Sequence, residues 1–77
     1  MADELPTMAE LRARIRALSG DSRRAVNEYV VWANYLSLGG RASWFEFQAY
    51  LYEALVATEM TVIRIDQVVW ELEEFGP

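Results

Sequence analysis

Glycines divide this 77-residue chain into segments that each have room for one or two short helices. They stand at positions 20, 39, 40 and 76, and no linker, low-complexity tract or internal repeat separates the pieces. Because helices commonly end at glycine, this spacing predicts an all-α fold, a compact bundle of three to four short helices. We expect a single helical domain over residues 1–77, in which residues 1–6 are flexible.

The first piece carries the signals of an amphipathic helix. Thr7 and Glu10 have the spacing of a capping box, and Gly20 stands just beyond the end. Apolar residues recur at helical spacing at Met8, Leu11, Ile15 and Leu18. The pattern predicts that this stripe faces the core.

The second piece is apolar around most of its circumference. It begins at Asp21 or Ser22, either of which can cap a helix, and runs to the glycine pair. The stripe expected to face the core is Val26, Tyr29, Val30, Ala33 and Leu36. Further large side chains fall largely outside it, at Val31, Trp32, Tyr35 and Leu38. A helix of this kind is usually buried on more than one side.

The third piece repeats the capping-box spacing with Ser43 and Glu46. It presents two apolar faces, one with Phe47, Leu51, Ala54 and Leu55, and one with Phe45, Ala49, Tyr52 and Val56. Residues 44–52 also alternate between apolar and polar as a strand would, and residues 61–65 are rich in β-branched side chains. The alternative is therefore an α+β fold with strands near these two segments.

The last piece fits a helix capped by Thr61, although Asp66 is also able to cap a shorter helix that follows a strand. Its apolar stripe consists of Val62, Ile65, Val69 and Leu72. A helix from Thr61 has Arg64 in its first turn and glutamates near its end, which is opposite to the order that the helix dipole favours. We therefore expect a compensating contact, with the arginines of the first helix facing this acidic end either within one chain or across a dimer.

Composition excludes several kinds of site. The chain has no cysteine and no histidine, so disulfides, thiolate metal sites and imidazole catalysis are impossible. No nucleotide-binding or metal-binding motif is present, and we expect neither enzymatic activity nor a cofactor or metal. The start of the chain lacks the pattern of a secretory signal, and the longest apolar stretch, residues 29–38, is too short to span a bilayer. We expect a cytoplasmic protein without a membrane partner.

The net charge of −5 is unevenly distributed. Residues 1–24 hold five arginines against four acids, whereas residues 25–77 hold two arginines against eight acids. An acidic surface favours solubility and disfavours nonspecific binding of nucleic acid. All seven basic residues are arginine, a composition associated with GC-rich bacterial or phage genomes.

Aromatic side chains are more numerous than so small a core can easily bury. Hydrophobic residues make up 53% of the chain, above the roughly 45–50% of typical globular domains. Tryptophan and tyrosine are enriched at protein interfaces. The candidate protein-binding residues are Trp32, Tyr35, Trp44, Tyr52 and Trp70. The predicted function is a small protein-binding or regulatory module that self-associates, by default as a two-fold homodimer.

The alternative is a helix-turn-helix-like DNA-binding regulator, since the first two helices and their short turn have suitable proportions. Arg23, Arg24 and Asn27 would start the second helix, where base contacts are made. Arg12 and Arg16 would contact phosphates. Because the rest of the chain is acidic and repels a duplex, nucleic acid is the less favoured partner.

Overall fold

The computed structural model describes residues 4–20 and 26–76, which form four helices. These are α1 (Met8–Ser19), α2 (Glu28–Ser37), α3 (Trp44–Leu51) and α4 (Glu59–Phe75). The described ranges contain no strand, so the predicted all-α fold is confirmed and the alternative with strands near 44–52 and 61–65 is wrong. Of residues 1–6, only 4–6 are described, and they have no regular secondary structure.

Each helix begins at a polar residue whose side chain accepts a hydrogen bond from the backbone N–H three positions later. These caps are Thr7, Asn27, Ser43 and Thr58. Thr7 and Ser43 complete capping boxes with Glu10 and Glu46, as the sequence predicts. A cap contributes about 1 kcal/mol, comparable to the summed cost of a few β-branched residues in a helix, which explains why the strand-like segments are helical.

Two helix starts differ from the prediction. Asn27 has extended backbone angles, φ −138° and ψ 179°, so α2 does not continue back through it to Asp21 or Ser22, which lie outside the described residues. α4 starts earlier than expected, because Thr58 caps it and Thr61 lies in its first turn. Asp66 caps nothing and lies in the middle of α4.

One apolar cluster joins the four helices, since α1 and α2 each pack against both α3 and α4. α1 contributes its predicted stripe, Met8, Leu11, Ile15 and Leu18. α3 adds Phe47 and Leu51, and α4 adds Ile65, Val68, Val69 and Leu72. The tightly packed core therefore uses one face of each of these three helices.

The predicted stripe of α2 is confirmed only in part. Val26, just before the helix, is buried and Val30 packs against the core, whereas Tyr29, Ala33 and Leu36 are exposed. The fully buried residues of α2 are Val31 and Tyr35, which were predicted to lie outside the stripe. Because this helix is apolar nearly all round, its periodicity does not select one face, and contact with the other helices decides which face is buried.

α3 is shorter than its apolar pattern, and it ends at Leu51. Ala54 and Leu55, predicted to share a buried face with Phe47, lie beyond the helix and are exposed. The second predicted face of this segment points to solvent, with Phe45 and Tyr52 exposed.

Arg14 provides the contact that compensates the acidic end of α4. It donates hydrogen bonds from α1 to Asp66 and to both carboxylate oxygens of Glu73. The hydrogen bonds to Glu73 raise the pKa of the Arg14 guanidinium above its ordinary value. The expected pairing of the first helix with the acidic C-terminal region therefore occurs within one chain.

Candidate functional site

Three aromatic rings form a cluster where α2 and α3 meet. The ring centroids of Tyr29, Trp32 and Trp44 lie 5.4, 5.4 and 5.6 Å apart, in tilted and edge-on arrangements typical of favourable aromatic pairs. Trp32 Nε1 donates to the carbonyl of Ala42 at 3.0 Å, and Trp44 stacks on buried Phe47. Both indoles are half-buried, so they anchor the two helices and present only their outer parts to solvent.

Tyr35 does not belong to this surface. Its side chain is only 2% exposed, and its hydroxyl accepts hydrogen bonds from the backbone N–H groups of Arg41 and Ala42, at 3.3 and 3.2 Å. The backbone at Gly40 approaches the ring so closely that a Cβ atom there would lie 2.3 Å from it. Tyr35 was predicted as a protein-binding residue, but in the single chain it is a core residue that shapes the α2–α3 connection.

An open cleft of about 420 Å³ lies beside the aromatic cluster, between α1, α2 and α3. Its apolar lining comes from Ile15, Tyr29 and Trp44. Its polar lining includes Arg12, Arg16, Ser19, Asn27, Glu28 and Tyr52. The cleft thus combines aromatic walls with charged groups of both signs, which is the usual composition of a binding surface.

Hydrogen bonds hold Tyr52 in place at the edge of this cleft. Its hydroxyl donates to the carboxylate of Glu28, which also accepts from Gln48 Nε2 at 3.3 Å. The bond to Glu28 favours the neutral phenol and raises the pKa of Tyr52 above its usual value near 10. The guanidinium of Arg12 lies over the Tyr52 ring, 5.6 Å from its centroid.

Arg12 also stabilises the end of α3. Its Nη1 donates to the carbonyl of Leu51, the last residue of α3, at 2.7 Å and to Glu53 at 3.0 Å. Helix ends leave carbonyl groups without backbone partners, and a cation there is favourable. Glu53 has a left-handed φ of 65°, which is costly for a residue other than glycine. Its pairing with Arg12 offsets part of that cost.

The outward side of α3 carries two large rings. Phe45 is 83% exposed and Tyr52 is 53% exposed, and they lie seven positions apart, which places them on one side of the helical segment. Val56, in the loop that follows, is also fully solvent-accessible. We call Tyr29, Trp44, Phe45 and Tyr52 the α2–α3 surface.

Trp70 lies on a different part of the molecule. It is half-exposed on α4, and its ring contacts that of Phe75 edge-on at 5.9 Å. Met60 and Ile63 are exposed on the same helix. We call Met60, Ile63, Trp70 and Phe75 the α4 outer face. The predicted binding residues are therefore distributed over two surfaces and the core.

Some of the residues predicted to contact DNA have structural roles in this fold, and others lie outside the described residues. Asn27 Oδ1 accepts the N–H of Val30 as the α2 cap, and Arg12 is bound to the end of α3. Arg16 is exposed, while Arg23 and Arg24 lie outside the described residues. α2 begins at Glu28, so Asn27 precedes this helix as its cap and is not part of it.

Within residues 4–20 and 26–76, no charged side chain is buried and no group of acidic residues is arranged to hold a metal ion. None of the four helices is both long enough and apolar enough to cross a membrane. Comparisons with protein-family models, with curated proteins and with solved structures give no match for this chain.

Sequence reasoning missed several exposed residues. Tyr29 was assigned to the core stripe of α2, and Phe45 was placed on a second face but not among the binding residues. Phe75 could have been identified as a candidate contact residue from the sequence. It is a large apolar residue among glutamates, where it does not contribute to solubility.

Proposed function

We propose that this protein is a small cytoplasmic protein-binding module of regulatory type, without catalytic activity, that acts through the α2–α3 surface and forms a homodimer there. The observation that carries the proposal is the exposure of Phe45 and Tyr52 on one side of α3, beside the wall formed by Tyr29 and Trp44. Large exposed apolar patches on small domains mark interaction sites, and aromatic anchors supply most of the binding energy at such sites.

The rigidity of this surface supports the proposal. Glu28 and Arg12 hold the Tyr52 ring from two sides, and Trp44 is fixed between Tyr29 and Phe47. Side chains that are already ordered lose little conformational entropy when a partner covers them. The surface is therefore prepared for contact before a partner arrives.

The charges around the cleft favour a second copy as the partner. Arg12, Arg16 and Glu28 line the cleft, and Glu53 pairs with Arg12, so charges of both signs lie around it. In a two-fold contact the same patch meets itself, which requires that each charge find its opposite on that patch. Exposed Arg16 forms no ion pair with a described residue, and it is free to meet a carboxylate of the second copy.

Light scattering after gel filtration tests this proposal with matched phenylalanine variants. The native chain should elute with twice the 8.9 kDa mass of one copy. Phe45→Ala should shift the protein toward the monomer, because it removes the most exposed ring of the surface. Phe75→Ala removes an equally exposed ring from α4 and should leave the dimer intact.

Arg16→Glu should also weaken the dimer, since it reverses one charge and leaves one basic side chain against three acidic ones around the cleft. A native protein that remains monomeric at all accessible concentrations would contradict self-association. A dimer that dissociates on Phe75→Ala but not on Phe45→Ala would contradict the choice of surface.

A further inference from the structure

The α4 outer face is a second exposed apolar surface, and it shares no residue with the α2–α3 surface. Met60, Ile63 and Trp70 recur at helical spacing on the side of α4 opposite to buried Ile65 and Leu72. The edge contact between Trp70 and Phe75, which is 78% exposed, continues this face to the last turn. At 1.5 Å per residue the face is about 22 Å long, which is the contact length of a partner helix of about four turns.

Helical spacing places carboxylates on the same side of α4, among these apolar positions, and no described ion pair neutralises them. Glu59, Glu71 and Glu74 form no ion pair with any residue in 4–20 or 26–76. Arg64 is the single basic residue of α4, and it lines a different depression together with Arg41, Glu46 and Tyr50.

The backbone adds to the same negative potential. The C-terminal end of a helix carries about half a negative charge, which basic side chains in the last turn usually offset. α4 has no basic residue in its last turn, and Glu71 and Glu74 lie close to that end. Exposed apolar side chains and glutamates that Arg14 does not pair with therefore occur on one side of α4.

Charge decides among the occupants that could cover this face. A second copy would oppose glutamates to glutamates, and an anionic lipid surface or a nucleic acid would be repelled in the same way. A helix with one apolar side and flanking arginines or lysines is complementary both to the apolar side chains and to the glutamates of this face. Amphipathic helices commonly bind to apolar faces and grooves in this manner.

We infer that the α4 outer face binds a basic amphipathic helix of a partner protein. The apolar side chains of that helix pack on Ile63, Trp70 and Phe75, and its cations pair with Glu71 and Glu74. This site extends the proposed function and is independent of the α2–α3 surface, because the two surfaces share no residue.

Fluorescence anisotropy with three labelled peptides of 18 residues tests the inference at roughly physiological salt. The first peptide is an amphipathic helix of leucine and lysine, with leucine at helical spacing. The second replaces every lysine with glutamate, and the third keeps the first composition in an order that has no apolar face. The first peptide should bind at least tenfold more tightly than either of the others.

Variants of the protein locate the site. Trp70→Ala and the double variant Glu71→Gln/Glu74→Gln should each weaken binding of the basic peptide about tenfold or more. Phe45→Ala removes an exposed ring elsewhere, and Glu4→Gln/Glu53→Gln removes the same amount of charge elsewhere. Both controls should retain native affinity. All these side chains are exposed or half-buried, and circular dichroism establishes that each variant is folded.

Several results would overturn the inference. Equal binding of the peptide without an apolar face would show that attraction is only electrostatic. Loss of binding in Phe45→Ala with retention in Trp70→Ala would place the site on the α2–α3 surface. A drop in the mass of the free protein on Trp70→Ala would show that a second copy covers α4. Because mass and peptide affinity are measured separately, failure of the dimer and failure of this site are distinguishable.

Discussion

The guanidinium of Arg14 on α1 binds the carboxylate of Glu73 on α4 at two points, Nε to Oε2 at 3.0 Å and Nη2 to Oε1 at 2.8 Å. Its remaining terminal nitrogen, Nη1, donates to Asp66 at 2.8 Å. Two-point contacts of this kind require the planar fork of arginine. They join the two ends of the chain and place a cation beside the acidic half of α4.

Replacing Arg14 should lower the free energy of unfolding modestly, because the three groups remain partly exposed. We expect Arg14→Gln to cost about 1 kcal/mol at low salt and less at 1 M salt, where ion pairs are screened. Arg14→Lys should recover only part of this, since lysine lacks the fork. Urea denaturation of Arg14→Gln, Glu73→Gln and the double variant gives the coupling between them. A coupling near zero would contradict a stabilising contact.

Gly40 should not tolerate a side chain. A Cβ atom at this position would lie 2.3 Å from the buried Tyr35 ring, which is held by its own hydrogen bonds. We expect Gly40→Ala to destabilise the protein by about 1–3 kcal/mol, or roughly 4–8 °C in Tm for each kcal/mol. Gly20→Ala is the matched control, because its nearest neighbours are 3.7 Å away and its φ is negative. Equal Tm values for both variants would contradict the close approach.

Truncation of Trp32 and truncation of Phe45 should have different effects on stability. Trp32 packs against the core and donates to Ala42, so we expect Trp32→Ala to cost about 2–3 kcal/mol of stability. Phe45 is exposed, and Phe45→Ala should change stability by less than about 0.5 kcal/mol. Thermal unfolding followed by circular dichroism measures both. If Trp32→Ala were as stable as the native chain, its indole would be a free contact residue and not an anchor.

The hydrogen bond from Tyr52 to Glu28 should give a signature at alkaline pH. Since the folded-state pKa of Tyr52 is raised, its contribution to stability is complete below pH of about 10 and is lost as the pH rises through the folded-state value. Absorbance titration should show a phenol that ionises later than tyrosine in peptides, and Tyr52→Phe should remove it. Glu28→Gln should return this pKa toward the ordinary value. A native titration without a late phenol would contradict the assignment.

Where signals are local, the sequence predicts the structure well. The capping boxes at Thr7 and Ser43 start α1 and α3 where the spacing indicates, because a cap is completed within four residues and needs no other part of the chain. The stripe of α1 is buried as predicted, since its other sides are polar and leave one choice.

The site was predicted only in part. Trp44, Tyr52 and Trp70 reach solvent, whereas Tyr35 does not. An aromatic residue type indicates that a side chain is suited to an interface. It does not indicate whether that side chain is buried or exposed in the fold. For Tyr35, the missing information was the glycine opposite its ring and the two backbone N–H groups that satisfy its hydroxyl.

By itself, the sequence determined the helical class, the caps of α1 and α3, and the inward face of every helix that has only one apolar side. Tertiary packing decided the orientation of α2, the end of α3 and the separation of aromatic residues into core, α2–α3 surface and α4 outer face. The physical reason is that a helix apolar on all sides has several orientations of similar local energy. Only the volume available between α3 and α4, and the buried hydrogen bonds formed there, select one of them.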